Sequence, residues 1–148
     1  DSNLDDFLRD VDIYVDSLDF FCLEIRRKVF AKCREKGIPA ITAAPLGMGS
    51  AFLYFDPNGM SFEEYFCLEG HSFEDQIVRF VVGMSPSMQQ RHYLVRTSSV
   101  NFTKKDAKVP STCMGISLAA GVLCTNALKL LLGRCCVKLR LFSLVTQS

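Results

Sequence analysis

Short apolar runs alternate with amphipathic stretches along this chain, and the alternation predicts an α/β fold. Leu4, Phe7 and Leu8 recur at helical spacing behind Ser2 or Asn3 as cap, which predicts a short helix through Arg9. The run VDIYV, residues 11–15, reads as a strand whose exit carries Asp16 and Asp19. Over 21–36 the apolar positions Cys22, Ile25, Val29, Phe30 and Cys33 return every three or four residues between arginines and lysines, the pattern of an amphipathic helix. Gly37 suits a left-handed helix end and Pro39 prevents continuation, so a second strand is expected over 40–43. Strand, helix and strand joined this tightly imply a right-handed parallel βαβ unit, the kernel of a doubly wound sheet.

Farther along, Gly47 and Gly49 punctuate the chain before AFLYF, residues 51–55, whose continuous apolar character suits a strand buried on both faces. DPNG, 56–59, is a turn signal. SFEEYF, 61–66, reads as a short strand or a turn, and 73–86 as a helix stopped at Pro86. Residues 89–110 mix basic and polar side chains with little periodicity, which predicts a surface loop with a short strand at 99–102. The most apolar stretch follows, at 111–133. Asn126 and Lys129 interrupt it and its small residues suit close packing on neighbours, so it is expected to be a packed helix and not a membrane span. In the tail, Val137, Leu139 and Leu141 alternate with Lys138 and Arg140 as in an edge strand.

Composition narrows the possible partners. The 148 residues suit a single domain, and with 49% hydrophobic against 22% charged residues the chain has apolar surface to spare for a partner or a missing segment. A net charge of +1 gives no overall field for nucleic acid or an anionic membrane, so neither is an expected partner. Seven cysteines, most of them within apolar runs, predict buried free thiols; the opening DSNLDD is no signal peptide, and a cytoplasmic location is expected. No CxxC pair occurs, so no zinc site is expected.

Four stretches together resemble the ThiF/MoeB/HesA group of adenylyltransferases, which share their fold with ubiquitin-activating enzymes. They are VDIYVDSLDFF, GIPAITAAPLGMGSAFLYFDP, the loop leading to VPSTCMG, and GISLAAGVLCTNALKLLLG, which run in the family's order over roughly residues 5–134. The first is similar to the family's strand and Asp-x-x-Asp-Asn run; the last looks like its long helix near the domain end. The resemblance implies a Rossmann-like doubly wound sheet that uses ATP and Mg²⁺ to activate the C-terminal carboxylate of a ubiquitin-like or sulfur-carrier protein as an acyl adenylate. It also implies that the family's N-terminal half is missing, since no Gly-rich strand-to-helix loop precedes the first strand. The expected domain is thus residues 1–148 as a C-terminal portion, with 135–148 an edge strand or a non-homologous tail. Inactivity alone, and a homo-oligomer or a completing segment, are expected with it.

Asp19 matches the family's aspartate at Mg²⁺ and the ATP phosphates; its other reading is a helix N-cap. Asp16 is the companion carboxylate, for cofactor contact or for shaping the turn. Phe20 stands where the family has Asn, and the expected arginine is displaced toward Arg26 and Arg27, the cofactor-binding candidates. Cys113, before the long helix, is a candidate nucleophile or a packed thiol. His71 and His92 lack framing ligands, and Arg91, His92, Arg96, Lys104, Lys105 and Lys108 read as a solvated loop face. Two rival functions stay open: a non-catalytic interaction or dimerisation module, and a fragment of another dinucleotide-binding protein.

Overall fold

A computed structural model describes residues 3–85 and 111–134. Within them the elements run α1 (Leu4–Phe7), β1 (Tyr14–Asp16), α2 (Leu23–Glu35), β2 (Ala40–Leu46), β3 (Gly49–Phe55), α3 (Phe62–Phe66), α4 (Phe73–Met84) and α5 (Cys113–Leu131). The three strands form one mixed sheet in the order β1-β2-β3. β1 lies parallel to β2, with Tyr14 opposite Ala40 and Asp16 opposite Thr42. The expected parallel βαβ unit is therefore present. It begins later than the apolar run suggested, at Tyr14, and Asp16 belongs to the strand itself.

β2 and β3 form an antiparallel hairpin from Ala40 opposite Phe55 to Leu46 opposite Gly49. Gly47 and Met48 make its turn, with φ positive only at Gly47 (59°), the pattern of a type II′ turn that follows the twist of the strands. Strand alternation divides the sheet. Tyr14, Leu53 and Phe55 join the core on the α2 face, where Phe30 meets Tyr14 at 5.6 Å and Phe55 at 5.3 Å between ring centroids. The opposite face of β2 and β3 is covered by α5.

SFEEYF is a helix and neither a strand nor a turn. Ser61 caps α3, its hydroxyl accepting from the Glu64 N–H while the Glu64 carboxylate accepts from the Ser61 N–H, a complete capping box. Phe62, Phe66 and Phe80 then stack into the aromatic core. α4 closes onto α3 at Gly83, where a Cβ would stand 2.5 Å from the Phe66 ring. Among the described residues α5 alone is long and apolar enough to cross a membrane by length and composition. It lies along the sheet on Gly115, Ala119 and Asn126 and leaves Met114, Ile116, Leu128, Leu131 and Leu132 exposed. The strand expected at 99–102, the edge strand or tail at 135–148, the basic cluster from Arg91 to Lys108 and His92 lie outside the described residues.

Candidate functional site at the exit of β1

The two aspartates that end the first strand have opposite surroundings. Asp16, 3% exposed, points to the α2 face. Its Oδ2 accepts from Arg26 Nε at 2.7 Å and from Thr42 Oγ1 at 2.8 Å; its Oδ1 accepts from the Leu18 N–H at 3.1 Å and from the Tyr14 hydroxyl at 3.4 Å. Three of the four donors are fixed by elements, Tyr14 and Thr42 by strand register and Arg26 by the first turn of α2. A buried carboxylate needs this degree of satisfaction. Burial first, and then the Asp16 charge, push the Tyr14 phenol well above its ordinary value, so it stays a neutral donor.

Arg26 is the other half of that arrangement. The side chain is 4% exposed; besides Asp16 it reaches the loop above, Nη2 donating to the Leu18 carbonyl at 2.5 Å and to the Asp19 carbonyl at 3.2 Å. Its Cζ lies 5.1 Å from the centroid of the Phe80 ring, an attraction between cation and ring face. Nη1 is buried without a hydrogen-bond partner among the described residues.

Asp19 sits on the crest of this loop and is exposed. Its Oδ1 accepts from the Phe21 N–H at 3.1 Å and its backbone carbonyl from the Cys22 N–H at 3.0 Å. It is not the cap of α2: Cys22 holds that position, without a side-chain cap hydrogen bond. One exposed carboxylate fits Mg²⁺ that arrives with a nucleotide, since that ion is commonly held by one or two carboxylates and substrate phosphates. It does not fit a resident metal, because no group of three or more His, Cys, Asp or Glu side chains gathers among the described residues. Phe20 and Phe21, edge to face at 5.1 Å, flank Asp19 on its C-terminal side, and Phe20 leans on Phe80 at 5.6 Å.

The remaining candidates lie apart. Arg27 turns to the other side of α2, where Nε and Nη2 grip both oxygens of Glu63 at 2.8 and 2.9 Å and Nη1 reaches Gln76. It joins α2 to α3 and α4. Cys113 is exposed in the first turn of α5, its Sγ 3.3 Å from the Met114 sulfur. The expectation of buried thiols holds for Cys33, which burial raises to about 11, and fails for Cys67, Cys113 and Cys124, all exposed. His71 offers its carbonyl to Gln76 Nε2. Gly47 and Gly49 have a packing role: the Thr112 hydroxyl donates to the Gly47 carbonyl at 2.8 Å, and a Cβ on Gly115 would stand 2.5 Å from that same oxygen and 3.2 Å from the Gly49 carbonyl. The sequence reading missed Thr42 and Tyr14. Their signal was register, since both lie on the Asp16 face once β1 and β2 are paired.

A parallel strand–helix–strand unit, with polar groups gathered at the carboxyl end of its first strand, places the chain among the α/β proteins. Among these the chain belongs to the ThiF family, whose model matches residues 1–147. No curated protein and no solved structure matches it.

Proposed function

We propose that this domain is the C-terminal part of a ThiF-type adenylation domain, which places Asp19 beside the phosphates and Mg²⁺ of ATP. Its ancestral reaction is activation of the C-terminal carboxylate of a ubiquitin-like or sulfur-carrier protein. The observation that carries the reading is the contrast at the β1 exit: Asp16 is fully engaged inside the chain, whereas Asp19 is held outward by its loop. Bound Mg²⁺ would offset charge on the phosphates. The chain's own part is to present one carboxylate at a fixed place. Residues 1–148 contain no Gly-rich strand-to-helix phosphate loop, so the other wall of the site, and the remainder of a doubly wound sheet, come from a further segment or a second copy. By itself the chain binds nucleotide weakly and turns nothing over.

The test is thermal unfolding with MgATP. At a concentration about ten times Kd the transition should rise by roughly 4 °C, and Asp19→Asn should abolish the rise. No rise at about 10 mM MgATP, or an equal rise in the variant, would contradict the reading. A second reading, an interaction module, is favoured by one observation: the outer face of α5 leaves five large apolar side chains more than 45% exposed, at positions 114, 116, 128, 131 and 132.

A further inference from the structure

We infer that Arg26 is the positioning residue of this strand exit: its guanidinium holds the Leu18 and Asp19 carbonyls and so sets the Asp19 carboxylate in place before any ligand arrives. The inference rests on the proposed nucleotide role of Asp19 only for the use of that placement; the placement itself is a property of the loop.

Three observations converge on it. First, one guanidinium ties three partners that sequence separates: Nε takes Asp16 at the end of β1, and Nη2 takes the carbonyls of Leu18 and Asp19 in the loop. The planar guanidinium presents Nε–H to the carboxylate and Nη2–H to the two carbonyls in fixed directions, whereas lysine offers its donors from a single nitrogen on a flexible stem. Second, the arrangement is poorly suited to stability alone. Burying an ion pair costs desolvation of both charges, an apolar replacement of similar volume is often as stable, and Nη1 has no hydrogen-bond partner among the described residues. What an apolar replacement could not do is fix two backbone carbonyls. Third, the lock is anchored from below and from the side. Thr42 and Tyr14 hold Asp16 from the sheet, and Phe80 of α4 lies against the guanidinium, so Arg26 has few ways to move. The loop amides of Leu18, Phe21 and Cys22, which donate to Asp16 Oδ1, Asp19 Oδ1 and the Asp19 carbonyl, report its state.

The experiment is amide hydrogen exchange on the full chain, with and without MgATP, in the wild type, Arg26→Lys and Arg27→Lys. Arg27→Lys is the control, adjacent on the same helix, with the charge kept in the same way and with partners on α3 and α4. Arg26→Lys should speed exchange at Leu18, Phe21 and Cys22 by about tenfold or more, the scale of one charged hydrogen bond, and leave α5 unchanged. It should also weaken MgATP binding by about tenfold at a temperature where all three proteins are folded. Arg27→Lys should alter neither quantity. If Arg26→Lys does not fold, Thr42→Val is read in its place and should give a several-fold acceleration confined to the same amides. Unchanged loop exchange, unchanged MgATP affinity in a folded Arg26→Lys protein, or an equal effect of Arg27→Lys would overturn the inference. If Arg26 governs loop exchange but the wild type does not respond to MgATP, the adenylation reading falls and the loop assignment stands.

Discussion

At the scale of single residues, the β1 exit holds two aspartates with different tasks: Asp16 is buried among four donors, and Asp19 is exposed on the loop above it. Asp16 and Asp19 were legible together because an apolar run ends there. Which of them faces solvent depends on one-residue differences in strand length and on the pairing that brings Thr42 across to Asp16, and neither is periodic in the sequence. The cysteines show the same limit. Apolar neighbours in sequence predicted burial for most of them, yet Cys113 and Cys124 occupy the outer face of a helix whose apolar residues are spread round it. Brief alkylation followed by mass spectrometry should therefore label Cys113, Cys67 and Cys124 well before Cys33, whose thiol is buried and held neutral at pH 8. Early modification of Cys33 would contradict this packing.

At the scale of elements, caps and glycines decide the outcome. α3 was readable from Ser61 and Glu64, which are spaced as a capping box, but SFEEYF, short and rich in aromatic residues, read as a strand or a turn. The hydrogen bond from the Ser61 N–H holds the Glu64 carboxyl below its usual value of 4.5. A carboxyl lowered in the folded state adds stability that is present above the unfolded pKa and is lost as pH falls through the folded one. Stability should therefore decline below about pH 4.5, and Glu64→Gln should flatten that slope in urea titrations repeated across pH. α5 offers a paired test. Gly115→Ala puts a methyl against the Gly47 and Gly49 carbonyls and should cost about 1–3 kcal/mol. Gly121→Ala meets no atom within 4 Å and should gain about 0.5–1 kcal/mol. Urea unfolding of both variants should give opposite signs.

At the scale of the whole molecule, the parallel βαβ unit was legible because Gly37 and Pro39 end α2 just before β2, and a strand, helix and strand joined this tightly run parallel. The antiparallel course of β3 was set by a two-residue turn, which allows only a hairpin, and so the sheet is mixed within the described residues. The apolar excess in the composition has a structural counterpart in α5, which buries Gly115, Ala119 and Asn126 and leaves Leu128 and Leu131 more than half exposed. If that face mediates association, light scattering should show a species larger than a monomer, and Leu128→Lys with Leu131→Lys should return it to a monomer. A monomeric wild type would remove that role. The central claim is that Asp19 is presented to a metal–nucleotide ligand while Asp16 is held inside. Its most direct test is NMR with Mn²⁺ in place of Mg²⁺ and ATP in excess, which reads paramagnetic broadening amide by amide. The account predicts that the signals of Leu18 to Phe21 broaden first and that Asp19→Asn abolishes the effect; broadening that is absent, centred elsewhere, or unchanged in Asp19→Asn would contradict it.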